Sequence, residues 1–131
     1  MKVVIDTNVL VAAFLTSGTS RETVDEILSA RVGVLSEYIL NEFKRVLLSR
    51  KFEFPEKVVS LFIHHLKQFV KFEDENECSG ISFPDNDDRK ILALCRSVQA
   101  DFLVTGDKEL LALKKFGSTR IVGPTEFLRA T

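Results

Sequence analysis

Long hydrophobic runs are missing from this chain of 131 residues. The apolar stretches Val3 to Ile5 and Val9 to Leu15 are interrupted by Asp6 and Asn8, which argues against a cleaved leader. Neither approaches the roughly 20 residues a membrane-spanning helix needs, and no later stretch does better. A cytoplasmic protein without a membrane partner is expected. Cysteine is scarce: Cys78 and Cys95 lack CxxC or metal-ligand spacing, and both read as structural residues. Histidine is confined to His64 and His65, inside a helical pattern and far from any acidic motif, so both belong to surface or packing. An excess of one charge is absent too, since the formal net charge is −1. Without a broad basic field, any phosphate contact must come from Lys44-Arg45, Arg50-Lys51, Arg89-Lys90 or Lys114-Lys115, each of which also reads as a solvated helix face. Internal repeats and low-complexity segments are lacking as well.

What remains is an ordinary globular composition, 45% hydrophobic and 28% charged, enough to bury a core in a single domain spanning residues 1–131. The eleven phenylalanines fall mostly at core spacing, as at Phe43, Phe62, Phe69 and Phe102, and do not suggest a base-stacking platform.

Val3 to Ile5 reads as a first strand, followed by the apolar run Val9 to Leu15 and a break at Thr16 to Thr19. A helix restarts near Ser20, with Val24, Ile27 and Leu28 at helical spacing, before a second strand at Val32 to Leu35. Ser36 caps a helix whose apolar positions run from Ile39 to Leu47 and which extends to Lys51-Phe52. Pro55 opens another helix, Val70 to Glu73 alternates like a strand, and Glu73 to Gly80 is a polar loop. The run Pro84 to Asp88 signals a helix start ahead of Ile91, Leu92, Leu94, Cys95 and Val98. Phe102 to Val104 and Arg120 to Val122 make the fourth and fifth strands, separated by a short helix through Leu110 to Leu113. Pro124 to Leu128 forms a terminal turn of helix. Strands alternating with helices imply an α/β fold with a mostly parallel sheet covered on both faces. If the first and fourth strands are neighbours, the loops after them diverge at a topological switch point, where ligands bind.

Two apolar strands end abruptly on a carboxylate, Val3-Val4-Ile5-Asp6 and Phe102-Leu103-Val104-Thr105-Gly106-Asp107. Each aspartate alone also reads as a turn or helix-cap residue, but the recurrence at two strand ends favours a site. Glu42 lies within about 60° of Tyr38, Ile39 and Val46 on its helix, beside the apolar stripe, whereas Glu37 points the opposite way. A carboxylate so placed needs a partner; metal coordination is preferred over an arginine salt bridge or snorkelling to water. Among Asp85, Asp87 and Asp88 the helical pattern does not choose, and capping accounts for the cluster equally well.

Carboxylates gathered within a few ångströms repel by on the order of 4 kcal/mol per pair at an effective dielectric of about 20. They call for protons or cations. Hard oxygen donors without histidine or thiolate select Mg²⁺ or Mn²⁺, with which a retained water can serve as nucleophile and a phosphodiester as substrate.

In these motifs the chain resembles the PIN-domain ribonucleases, particularly the toxin components of bacterial and archaeal toxin–antitoxin pairs. The matching pieces are Val4 to Leu10, Leu35-Ser36 with Glu42 and Val46-Leu47, Pro84 to Asp88 leading into Ile91-Leu92-Ala93, and Ala100 to Leu111, covering nearly the whole chain. The resemblance implies Asp6, Glu42, Asp88 and Asp107 as catalytic metal-binding acids, with Thr7, Asn8 and Thr105 in support. A shift of one position would hand the role of Asp88 to Asp87, and Asp85 could assist a second metal. It also implies a three-layer α/β/α fold with five strands in the order 3-2-1-4-5, an RNA substrate, a homodimer and a cognate antitoxin.

The function expected is a Mg²⁺- or Mn²⁺-dependent endoribonuclease that hydrolyses RNA through a metal-activated water. One alternative is phosphoryl transfer through an aspartyl-phosphate, which Asp6-Thr7-Asn8 disfavours because no second aspartate follows two residues later. Another is a non-catalytic regulatory or scaffold module whose acids are caps.

Overall fold

The computed structural model describes residues 1–74 and 80–130; Cys78 and most of the polar loop expected before Gly80 lie outside them. The chain runs β1 (Lys2–Ile5), α1 (Thr7–Leu15), α2 (Thr19–Ala30), β2 (Val32–Leu35), α3 (Glu37–Leu47), α4 (Glu56–Lys67) and β3 (Val70–Phe72). It continues through α5 (Asn86–Val98), β4 (Phe102–Val104), α6 (Lys108–Leu113), β5 (Lys115–Phe116), β6 (Thr119–Val122) and α7 (Pro124–Ala130).

The described strands form one sheet in the order β3-β2-β1-β4-β6-β5. Five are parallel, in the order the resemblance implies, with β6 in the place of the expected fifth strand. The sixth, β5, is a correction: two residues pair antiparallel with β6 at the sheet edge. Lys114 and Gly117, at φ +62° and +59°, turn the chain on either side of it. A segment this short cannot show the alternation by which strands are read.

The sheet grows in one direction from β1 to β3, then reverses to β4 and β6, so right-handed crossovers put α1 to α4 on one face and α5 and α6 on the other. A strand covered on both faces has no solvent side, which is why Val3, Val4, Ile5, Leu103 and Val104 form unbroken apolar runs and are fully buried. Gly33 on β2 permits close packing: a Cβ there would stand 3.1 Å from Ile27 Cγ2.

Helix α3 buries Ile39, Leu40, Phe43 and Leu47 and ends at Leu47, short of the expected Lys51-Phe52. Beneath it, Phe14 meets Phe43, Phe54 and Phe62 edge to face at centroid distances of 6.1, 5.0 and 4.9 Å. Such contacts add specific geometry to large apolar burial. Helix α4 is less buried than its apolar content suggests, since Val58 and Leu61 face outward. Phe69, expected in the core, is also exposed because it falls in the turn after α4 has ended.

Candidate active site

β1 and β4 are adjacent, with Ile5 in register with Val104, so the chain leaves both strands at the same edge of the sheet. Here the sheet order switches direction. Asp6 sits immediately beyond β1 as the N-cap of α1, and its backbone N–H donates to the Val104 carbonyl at 3.0 Å. Asp107 sits beyond β4 as the N-cap of α6.

Asp6 is buried, and both its oxygens are held. The Thr7 N–H donates to Oδ1 at 2.7 Å, while Thr105 Oγ1 and Asn8 Nδ2 donate to Oδ2 at 2.8 and 3.3 Å. Asn8 in turn accepts from the Gly106 N–H at 2.9 Å, and Thr105 Oγ1 accepts from the Asp107 N–H at 3.0 Å. Thr7, Asn8 and Thr105 thus stitch the two strand-end loops together around one carboxylate. Burial raises the Asp6 pKa; the bonds from Thr105, Thr7 and Asn8 oppose that shift, and the charge of Asp107 adds to it.

The capping readings of the other aspartates hold as well. Asp107 Oδ1 accepts from the N–H groups of Glu109 and Leu110 at 2.8 and 3.3 Å, and Asp85 Oδ1 accepts from those of Asp87 and Asp88 at 2.8 and 3.1 Å. These bonds aim the first turns of α6 and α5 at the same region, and a carboxylate at the positive end of a helix is favourable in its own right.

Asp88 is buried at the start of α5, and its pKa is pushed up to about 7, first by burial and then by the charges of Asp107, Asp85, Asp6 and Glu109. Asp87, one position earlier, is exposed and lies close enough to Tyr38 to act on its hydroxyl. Burial and that neighbouring carboxylate hold the Tyr38 pKa well above its ordinary value. Sequence pattern left Asp87 and Asp88 level; the structure sets Asp88 against Asp6 and Asp107, and Asp87 against α3.

Glu42 reaches the same place from α3, one helical turn beyond Tyr38. It has a partner that the sequence reading placed second to metal: Arg45 Nη2 and Nε donate to Oε2 and Oε1 at 2.8 and 3.2 Å. This pairing holds the Glu42 carboxyl below the usual range, against the opposing effect of burial, with Lys90 assisting.

All four expected acids, together with Asp85 and Asp87, line one open cleft of about 520 Å³. Thr7, Asn8, Tyr38, Lys51 and Phe52 share its wall. Tyr38 was not singled out as a site residue, although its spacing of four from Glu42 puts the two on one helix face. His64 and His65 are exposed on α4 and do not line the cleft, and Cys95 is buried, its thiol pushed upward by burial.

The donor chemistry of the cleft fits a hard divalent cation. Among the described residues no ion pair engages Asp6, Asp88 or Asp107, and burial raises the pKa of Asp6 and Asp88, so no protein cation neutralises these three carboxylates directly. The described residues contain no group of three or more acids or histidines that could hold a metal ion as they stand. A cation here would be held by few carboxylates at once, with waters completing its shell, and not by an all-protein cage.

A family model of the PIN domain matches residues 2–109. The chain belongs to the PIN-domain family. Among solved structures, the PIN domain described here is similar to a chain of VapBC2 from Rickettsia felis, a structure bound to a DNA fragment from their promoter. The TM-score is 0.68 and the identity 15%, over 94% of this chain and 98% of that one. It is also similar to VapC20 of Mycobacterium tuberculosis, a toxin that cleaves the sarcin–ricin loop, with a TM-score of 0.62 and 14% identity over 90% and 98% of the two chains. At such identities the likeness is one of fold. Comparison with curated proteins gave no match. No helix among the described residues is long and apolar enough to cross a membrane.

Proposed function

We propose that this PIN domain is a Mg²⁺- or Mn²⁺-dependent endoribonuclease, with Asp6, Glu42, Asp88 and Asp107 as the acids of its active site. The observation that carries this reading is their convergence, from the ends of β1 and β4 and the facing sides of α3 and α5, on one cleft at the sheet's switch point. Burial raises the pKa of two of them, Asp6 and Asp88, which bound positive charge would offset.

Asp6, Asp88 and Asp107 would share in holding the cation, directly or through its waters, with Glu42 joining when released from Arg45. The bound cation would supply Lewis-acid polarisation of the phosphodiester and a water nucleophile at neutral pH. The protein's own part is positioning. Thr105, Asn8 and the Thr7 N–H fix the Asp6 carboxylate before substrate arrives, so little reorganisation is needed during the reaction. The caps at Asp85 and Asp107 hold the helix starts that frame the cleft. RNA is the substrate we assign to this open cleft.

The likeness to two VapC-type structures supports a toxin role, with a cognate antitoxin protein as partner. A scaffold reading accounts for the capping bonds but not for Asp88, which is buried among other carboxylates at a cost that capping does not require. The aspartyl-phosphate reading sits poorly with Asp6, whose two oxygens are both engaged by neighbours in a buried position.

The deciding experiment incubates the protein and its Asp6→Asn variant with a panel of structured and single-stranded RNAs in Mg²⁺, Mn²⁺ or EDTA. Cleavage that requires both metal and Asp6 is expected. Equal cleavage by the Asp6→Asn variant in matched preparations would overturn the assignment.

A further inference from the structure

The cleft joins an acidic floor to a basic rim. Lys51 lines its wall, and the Lys90 ammonium lies 4.5 Å from the centroid of the Tyr38 ring. Arg45 stands on the α3 side, close enough to Asp87 for its charge to act on the guanidinium. Arg45 differs from the other two cations in that its guanidinium already grips an acid of the cleft, through both Glu42 oxygens. Of the ion pairs among the described residues, this one alone involves an acid of the cleft.

Three features make the pair exchangeable. It is local, joining residues three apart on one helix. The Arg45 side chain is 68% exposed, against 28% for Glu42, so the guanidinium can swing into solvent without leaving a buried charge behind. Exposed pairs of this kind are weak and salt-sensitive. The guanidinium fork that matches a carboxylate also matches a phosphate, with two parallel N–H···O bonds.

We propose that Arg45 is an exchangeable latch: in the free protein it occupies Glu42, and when a single RNA strand enters the cleft it transfers to a backbone phosphate. Release leaves Glu42 open to a cation. The proposal rests on the nuclease reading and deepens it, making Arg45 a substrate-positioning residue. It couples the two ligands, because substrate removes the cation's competitor for Glu42.

The test uses the full chain with Arg45→Gln and Arg45→Lys. Calorimetric titration with Mn²⁺ alone should show about two- to fivefold tighter binding to Arg45→Gln. Binding of a fluorescein-labelled single-stranded 20-mer RNA, followed by anisotropy in EDTA so that nothing is cleaved, should weaken severalfold. The slope of log K against log salt should also become shallower by about 0.7, the value of one single-strand phosphate contact. Arg45→Lys, which keeps the charge and loses the fork, should retain the salt slope while binding RNA more weakly than the parent.

Parental Mn²⁺ affinity and salt slope in a folded Arg45→Gln protein would overturn the proposal and leave an ordinary surface ion pair. Tighter Mn²⁺ binding without a change in slope would overturn the transfer to phosphate. If the parent itself binds neither Mn²⁺ nor RNA, the nuclease reading fails and the latch with it.

Discussion

Thr105 Oγ1 donates a 2.8 Å hydrogen bond to Asp6 Oδ2 across 99 residues of sequence, and the same oxygen accepts the Asp107 N–H at 3.0 Å. One hydroxyl therefore fixes a carboxylate at the end of β1 and the backbone of the acid that follows β4. Its proton is committed to Asp6, and its lone pair to Asp107.

Thr105→Val keeps the shape of the side chain and removes both bonds. The loss of one such bond costs about 1 kcal/mol, and more where a buried partner is left unsatisfied. Groups that orient a metal-binding carboxylate typically matter by roughly 10- to 100-fold in affinity or activity. Thr105→Val should remain folded, with cleavage and Mn²⁺ affinity reduced by that order, and Thr105→Ser should recover most of both. Single-turnover kinetics with saturating Mn²⁺ checks it; parental rates in Thr105→Val would show that Asp6 needs no such support.

Asp88 has a folded pKa of about 7 against an ordinary 3.8, raised chiefly by burial. Between those values the unfolded chain gives up its proton while the folded chain keeps it, so this group makes stability fall as pH rises. The sign is opposite to that of a salt-bridged aspartate. In EDTA the parent should lose melting temperature from pH 5 to pH 8, and Asp88→Asn should flatten that decline and melt higher than the parent at pH 8. Asp6, also raised by burial, contributes in the same direction, so Asp88→Asn should reduce the slope without abolishing it. A series of thermal melts at constant ionic strength decides the point. A melting temperature that rises through this window in the parent would contradict the buried, carboxylate-surrounded placement of Asp88.

The parts of this site that lie in the chain's local pattern were readable beforehand. An unbroken apolar run ending on Asp6 or Asp107 states both that the strand is covered on two faces and where it stops, and burial of Val3 to Ile5 and Phe102 to Val104 agrees. The Ser36 cap and the face of α3 carrying Glu42 follow equally from spacing. What escaped is set by contacts between distant segments or by lengths too short for a period. The choice between Asp87 and Asp88 depends on which points toward β1 and β4 and which toward Tyr38, and both flank the same helical stripe. Phe69 has the spacing of a core residue, but α4 ends at Lys67, and the residue is left 49% exposed. Arg45 was visible as a helix-face cation, while its hold on Glu42 is a matter of rotamer.

A divalent cation should reverse the electrostatic penalty that the metal-free site carries. Ligand that binds only the folded state stabilises it by RT ln(1 + [L]/Kd), about 2.7 kcal/mol at a hundredfold excess over Kd. Mn²⁺ should therefore raise the parent's melting temperature by several degrees at pH 8, and the rise should shrink or vanish in Asp6→Asn and Asp88→Asn. It should also be smaller at pH 5, where Asp88 is protonated and must lose its proton to bind. Equal shifts in parent and variants would place the cation elsewhere on the surface.

Phe43 anchors the helix that carries Glu42, so its removal should separate stability from chemistry. The ring is fully buried, stacked at 5.6 Å on Phe62 and edge-on to Phe14 at 6.1 Å. Phe43→Ala should cost about 3–5 kcal/mol, as large-to-small changes in a packed core do when the surroundings cannot collapse into the space. Phe69→Ala, which removes the same ring from an exposed turn, should change stability by less than about 0.5 kcal/mol. Urea denaturation of both variants measures the contrast. If the two cost the same, the phenylalanine cluster beneath α3 is not what holds Glu42 at the cleft. If the contrast holds, residual cleavage by Phe43→Ala under conditions where it is still folded would report how far Glu42 depends on the rigidity of its helix.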